Sequence, residues 1–98
     1  MHIISKKKIT DFITKYPDSE SSLLGWYSIV NTEFFSDFNE LRNWFPHADL
    51  VGRRTIFNIG GNKFRMISRV NFVSKRIFIL EILTHSEYSK NKWKRHGK

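Results

Sequence analysis

A short alternating stretch in the second half of the chain carries three cations that could do chemistry. After the turn at residues 60–62, apolar residues occupy every second position, and Lys63, Arg65 and Arg69 fall on positions between them. This alternation indicates a β-strand, because successive strand side chains point to opposite faces of a sheet. One such cation could simply be solvated, but three on one face repel one another and need a compensating partner. We therefore expect this face to meet an anionic partner.

Two further side chains suited to proton transfer, His85 and Tyr88, follow the last predicted strand. They lie three residues apart on a predicted short helix, hence on one side of it, at a sheet edge that the cationic face could reach. Each could be only structural when considered alone. With the cations they could cleave RNA without metal. The ribose 2′-hydroxyl attacks the adjacent phosphate if a base takes its proton, cations bind the phosphorane and an acid protonates the departing 5′-oxygen.

The roles of these residues follow from their types, with alternatives left open. Arg65 is the candidate transition-state cation, Lys63 and His85 are candidate proton acceptors, and either Tyr88 or His85 is the candidate proton donor. Cations on the approach of the preceding strand extend the RNA-binding face beyond Arg69, and these are Arg53 and Arg54.

The length and the charge of the chain limit the number of domains and the classes of function that it can have. The chain of 98 residues suffices for a single domain, 1–98, with a modest core. Residues 1–51 hold 5 Lys and Arg against 7 Asp and Glu, whereas residues 52–98 hold 12 against 2, for a net charge of +8. A basic, strand-rich half favours nucleic-acid binding over membrane-surface binding, which usually places cations on an amphipathic helix. Residues from about 90 to 98 are basic enough to form a flexible tail.

Several classes of site are absent from the sequence. Without cysteine there is no disulfide, no thiolate metal site and no thiol nucleophile. The chain has no phosphate-binding loop, no nucleophile elbow and no pair of histidines at zinc-site spacing. The longest apolar run, IFIL at 77–80, is too short to cross a bilayer. We therefore expect a cytoplasmic protein that uses no cofactor and no metal and has no membrane partner.

The spacing of apolar residues changes from helical to period-two after residue 53, so helices and then strands must position the candidate residues. Apolar residues at helical spacing predict one helix that is capped by Ser5 and ends at Pro17, and a second capped by Asp18 or Ser19. A short third helix begins at Ser36. Together these elements form an N-terminal helical hairpin and a short helix that leads into the sheet.

Period-two alternation after residue 53 predicts an antiparallel sheet, and the spacing of Thr84 and Glu87 predicts a capping box that starts a short C-terminal helix. The fold class is therefore α+β: a helical hairpin packs on a small, twisted, mainly antiparallel sheet whose uncovered face carries the cations. The predicted strands lie at about 2–4, 54–59, 63–72 and 77–83.

Two of these stretches, FNIGGNKFRMISRVNF and IFILEILTHSEY, together resemble the signature of the HigB-type toxins, which belong to the RelE superfamily of messenger-RNA interferases in bacterial toxin–antitoxin pairs. The similarity covers about a third of the chain, and the preceding helices follow the family's order. The matching residues are Asn62, Lys63 and Arg65 in the turn and strand, and Thr84, His85, Glu87 and Tyr88 at the ending.

This resemblance implies a RelE-like fold and a ribosome-dependent endoribonuclease that cleaves messenger RNA. It also implies a HigA-like helix-turn-helix antitoxin as the inhibiting partner, and it adds Asn62 to the RNA-binding residues. The chain departs from the family's pattern at Leu80, where Arg is frequent, at Ser89, where Asp is frequent, and at Phe64, where Tyr is frequent. These departures make a catalytically weakened toxin one alternative.

A non-catalytic RNA-binding or ribosome-associated protein is the other main alternative, because it would explain the charge and the strand face. It would not explain Lys, Arg, His and Tyr side chains at the end of one sheet. A DNA-binding module fits poorly, since the helical half is net acidic and offers no basic recognition helix.

Overall fold

The computed structural model describes residues 1–90, in which helices pack on a five-stranded sheet. The elements are β1 His2–Ile4, α1 Lys7–Lys15, a 3-10 turn Pro17–Ser19, α2 Glu20–Thr32, α3 Phe38–Trp44, β2 Asp49–Val51, β3 Arg54–Ile59, β4 Phe64–Asn71, β5 Arg76–Thr84 and α4 His85–Ser89. The strand order is β1-β5-β4-β3-β2. β1 runs parallel to β5 and the other neighbours are antiparallel, so the predicted α+β class with a mainly antiparallel sheet is confirmed.

Strand β2 is the element that the sequence prediction missed. It has only three residues, Asp49–Val51, too few to show an alternation, and it turns back into β3 through Gly52, whose φ is +63°. The predicted tail from about residue 90 to residue 98 lies, apart from Lys90, outside the described residues. Within residues 1–90, no helix is both long and apolar enough to cross a membrane.

The helix starts differ from prediction in their caps. Ser5 does not cap α1, because its φ of +74° places it in the left-handed region, and the N-cap is Lys6 without a side-chain bond. Ser19 occupies the N-cap position of α2, but its hydroxyl donates to the carbonyl of Tyr16 at 2.6 Å. Asp37 caps α3 by accepting from the Glu40 amide at 2.9 Å.

The main core lies between the helices and one face of the sheet. Phe57 of β3 is fully buried there, with the rings of Trp26 and Phe45 at 5.4 and 5.1 Å in edge-on contact. At the other end of the same face, Phe64 of β4 meets the rings of Phe12 and Tyr16 at 5.3 and 5.9 Å. Aromatic contacts therefore join the helices to the two strands that carry the candidate site.

A β-bulge in β5 explains why the segment IFILEIL is apolar on both faces. Ile67 pairs with Glu81 and Ser68 pairs with Ile79, so Leu80 has no partner across the ladder. The extra residue reverses the alternation: Ile77 and Ile79 face the main core, and after the bulge Ile82 does. β5 lies inside the sheet between β1 and β4, and β4 is the central strand.

Truncation of Phe57 tests the packing of the main core. We expect Phe57→Ala to lower the free energy of unfolding by roughly 3–5 kcal/mol, because the buried ring leaves a cavity that Trp26 and Phe45 line. Phe34→Ala is the matched control, since Phe34 is 70% exposed and its truncation should change the stability by about 0.5 kcal/mol or less. Urea denaturation measures both values, and equal losses in the two variants would contradict this packing.

Candidate functional site

The hairpin turn before β4 and the start of α4 meet at one end of the sheet. The amide of His85 donates to the carbonyl of Lys63 at 2.9 Å, and Phe64 pairs with Thr84 in the last step of the ladder. These bonds bring together the residues that we call the turn–helix site: Asn62, Lys63, Arg65, His85 and Tyr88. The four predicted catalytic residues and Asn62 therefore lie in one region.

Local sequence chemistry fixes both halves of this site. Gly60 and Gly61 form the turn with φ values of +64° and +67°, which glycine adopts without strain. On the other side, the Thr84 hydroxyl accepts from the Glu87 amide at 3.1 Å, and the Glu87 carboxylate accepts from the Thr84 amide at 2.9 Å. This is the predicted capping box, so α4 starts at a defined residue and Tyr88 has a defined direction.

Arg65 is enclosed instead of lying on an open face. It is only 8% exposed, its Nη2 donates to Asn62 Oδ1 at 2.6 Å, and its Nη1 donates to the Phe64 carbonyl at 3.1 Å. The Tyr88 ring covers the guanidinium at 5.5 Å from its centroid. Within residues 1–90, no carboxylate forms an ion pair with it. Neutral acceptors therefore orient Arg65 without neutralising its charge.

Tyr88 is half-buried above Arg65 at the edge of a second apolar cluster. Burial is the main cause that raises the pKa of its phenol above the usual value, and the negative charge of Asp49 raises the pKa further. The positive charge of Arg65 acts in the opposite direction but does not outweigh them. The phenol is therefore held in its protonated form, which can donate a proton.

Lys63 and His85 are both exposed, in contrast to Arg65. Lys63 lies in the turn and not on β4, and its ammonium is 3.8 Å from the Asp18 carboxylate of the linker between α1 and α2. Such an exposed pair is weak and salt-sensitive, so it leaves the ammonium able to bind phosphate. His85 is the first residue of α4, beside the Lys63 backbone.

The remaining predicted RNA-binding cations lie at the other end of the hairpin. Thr55 pairs with Ser68, so Arg54 at the start of β3 and Arg53 before it lie near Arg69. Arg69 is four residues from Arg65 along β4, a separation of about 13 Å. Arg69 lines an open groove of about 540 Å³ next to Phe78, its cross-strand partner. The structure thus divides the predicted cationic face into two groups.

The predicted uncovered face requires a correction, because a second apolar cluster occupies its centre. Ile56 and Ile67 are buried there on the side of the sheet opposite the main core, and Arg65 lies on the same strand face as Ile67. Ile67 falls on the cationic positions of the alternation, a signal that the sequence prediction did not use. We call this group the second-face cluster; its members are Val51, Ile56, Ile67, Leu80, Leu83 and Tyr88.

Leu80, one of the departures from the resemblance, is the bulged residue of β5 and belongs to the second-face cluster. An apolar side chain therefore packs beneath the site at the position where the resemblance led us to expect arginine. Among residues 1–90, no group of three or more His, Asp or Glu side chains could hold a metal ion.

This chain is similar to one family model and to two named relatives. Residues 19–91 match a family model described as the RelE-like toxic component of a toxin–antitoxin system. An mRNA interferase HigB from Escherichia coli O6:H1 (strain CFT073) is 38% identical over 93 residues, 92% of this chain and 90% of the relative. An mRNA interferase toxin HigB from Escherichia coli K12 is 32% identical over 91 residues, 90% of this chain and 88% of the relative. The matched residues include the whole turn–helix site.

The surroundings of Tyr88 give a testable pH dependence. In a carbon-13 NMR titration of the tyrosine ring, we expect Tyr88 to lose its proton only above about pH 10, the usual tyrosine value. Asp49→Asn removes a negative charge that opposes ionisation, so it should lower the Tyr88 pKa. Tyr88→Phe assigns the signal by its loss. A Tyr88 midpoint at or below the usual value, or one unchanged by Asp49→Asn, would contradict the proposed electrostatics.

Proposed function

This chain belongs to the HigB family of RelE-like toxins of toxin–antitoxin systems, and on that premise we propose that it is an endoribonuclease that cleaves messenger RNA at the turn–helix site. The relatives bear the name mRNA interferase. The observation that supports this activity most directly is the enclosed Arg65 guanidinium beneath the half-buried Tyr88 phenol. Together they offer a fixed cation and a proton donor in one place.

Arg65 supplies the charge that the transition state needs. During attack by the 2′-oxygen, negative charge grows on the non-bridging oxygens of the phosphorane, and a pre-oriented cation stabilises that charge more than it stabilises the ground state. Asn62 and Phe64 use two of the five guanidinium N–H groups within residues 1–90. The others can bind phosphate oxygens. Asn62 therefore acts on the reaction by positioning Arg65.

Tyr88 completes the reaction as the general acid. When the bond between phosphorus and the 5′-oxygen breaks, the phenol gives its proton to that oxygen, and the products are a 2′,3′-cyclic phosphate and a 5′-hydroxyl. Burial keeps the pKa of Tyr88 raised, so the phenol carries its proton when RNA arrives, and the position of its ring over Arg65 supports this role by placing the proton donor beside the cation.

His85 is the proposed general base. An imidazole can accept the 2′-hydroxyl proton, and His85 is exposed beside the Lys63 backbone, where RNA can reach it. Lys63 then serves as a second phosphate-binding cation. No metal ion takes part in this scheme, because the cations and the two proton-transfer groups fill all three roles.

The distant group of Arg53, Arg54 and Arg69 is proposed to bind the RNA backbone away from the cut, and the ribosome is the proposed place of cleavage. A toxin of this family has an antitoxin partner. We propose that this partner is a HigA-like helix-turn-helix protein.

Expression without antitoxin tests the activity and its products. Growth should stop, and messenger RNAs should be cut internally with 2′,3′-cyclic phosphate and 5′-hydroxyl ends, because the proposed nucleophile belongs to the RNA itself.

Replacing a non-bridging phosphate oxygen by sulfur should slow cleavage equally with magnesium or with thiophilic manganese, since no metal binds that oxygen. Intact messages at a verified protein level would favour a passive RNA-binding protein, and rescue by manganese would contradict metal independence.

Single substitutions separate catalysis from binding. Tyr88→Phe keeps the ring over Arg65 and removes only the hydroxyl, so it should slow single-turnover cleavage of ribosome-bound messenger RNA by about 10²–10⁴. Arg65→Gln removes the cation and should slow cleavage by about 10²–10³.

Matched controls exist for both variants. Tyr27→Phe changes another half-buried tyrosine, and Arg76→Gln changes an exposed arginine at the start of β5; both should cleave at the wild-type rate. Thermal unfolding confirms folding of each variant. Wild-type rates for Tyr88→Phe and Arg65→Gln would remove both residues from the chemistry.

A further inference from the structure

A pocket of about 240 Å³ lies next to the turn–helix site, at the outer edge of β3. β2 pairs only with Arg54, Thr55 and Ile56, so the remainder of this edge has no strand neighbour there. The segment from Trp44 to Ala48 lines the pocket from one side, and Asn58 and Gly61 line it from the other.

The register of the sheet places this pocket beside Arg65. Asn58 is the direct cross-strand partner of Arg65, so the two side chains leave the same face with Cβ atoms about 5 Å apart. Gly61 belongs to the turn whose next residue, Asn62, accepts a hydrogen bond from Arg65. One turn therefore borders both the pocket and the proposed phosphate site.

The side chains of the pocket have the chemistry that recognises a nucleobase. Trp44 ends α3 and is 49% exposed, so part of its flat aromatic surface faces solvent at the pocket. Asn58 is exposed and offers both a donor and an acceptor, the pattern that pairs with base edges. His47 is exposed in the same pocket, and neither His47 nor Asn58 forms a side-chain hydrogen bond within residues 1–90.

We propose that this pocket is a nucleobase subsite, in which Trp44 stacks on a base next to the scissile phosphate and Asn58 reads its edge. This inference rests on the proposed function. Stacking on Trp44 holds the chain of RNA so that its phosphate lies at Arg65, and the Asn58 amide makes the position of the cut depend on the base. A protein segment fits this pocket less well than a nucleobase does, because the polar side chains of Asn58 and His47 lie next to the proposed phosphate site.

Substitutions in the pocket give the first test. With ribosome-bound messenger RNA, Trp44→Ala should raise KM about 10-fold to 100-fold with little change in kcat, because stacking contributes binding in the ground and transition states alike. Trp44→Phe should restore most of the loss. Asn58→Ala should flatten the base preference at one position beside the cut, as mapped by sequencing the RNA ends. Phe34→Ala, also an exposed aromatic residue, should change neither quantity.

Two results would overturn the subsite. One is an unchanged KM in Trp44→Ala together with an unchanged cut-site preference in Asn58→Ala, while Tyr88→Phe shows its expected slow cleavage. The other is a Trp44 fluorescence change on addition of the antitoxin protein with none on addition of RNA, which would identify a protein-docking surface.

Fluorescence also separates this inference from the proposed function. Because the chain also contains Trp93, the test uses a Trp93→Phe background. In it, a non-cleavable 2′-O-methyl oligonucleotide should quench the emission of Trp44, and the added change Trp44→Phe should remove that quenching while Trp26 remains in the core. If the wild-type protein cleaves no RNA, the proposed function fails; quenching of Trp44 by this probe would still support the subsite, and unchanged emission would overturn it.

Discussion

The enclosure of the Arg65 charge is the constraint on which the site depends. A guanidinium removed from water is costly unless hydrogen bonds satisfy it, and here the acceptors are the Asn62 side chain and the Phe64 carbonyl. Tyr88 covers the remaining face. Local structure positions both side chains. Gly60 and Gly61 form the turn that places Asn62, and the capping box starts the helix that places Tyr88.

The second-face cluster connects this enclosure to the rest of the sheet. The bulge at Leu80 sends an apolar side chain to the face that carries Arg65, where Ile56 and Ile67 are already buried. The same cluster desolvates Tyr88, and that desolvation is the main reason why its pKa rises. An apolar residue at position 80 therefore removes one candidate cation and adds to the apolar surroundings that keep the Tyr88 phenol protonated.

The sequence predicted those features that depend on local patterns. The capping box of Thr84 and Glu87, the alternation of β4 and the change of period after residue 53 all appear as expected, because each rests on neighbours within a few residues. Burial of Arg65 could not be predicted, since it requires knowing that α4 folds back over β4. The sequence analysis grouped Arg69 with Arg65 on one face, and the structure separates them by the length of β4 between them, whereas the pairing of Asn58 with Arg65 needed the register.

Proton donation by Tyr88 to the 5′-oxygen is the central claim, and a modified substrate tests it most directly. In an RNA whose scissile 5′-oxygen is replaced by sulfur, the leaving group departs as a thiolate and needs no proton. The account predicts that Tyr88→Phe cleaves this substrate at nearly the wild-type rate, although it cleaves the oxygen substrate slowly. An equally large defect on both substrates would contradict the assignment of Tyr88 as the acid.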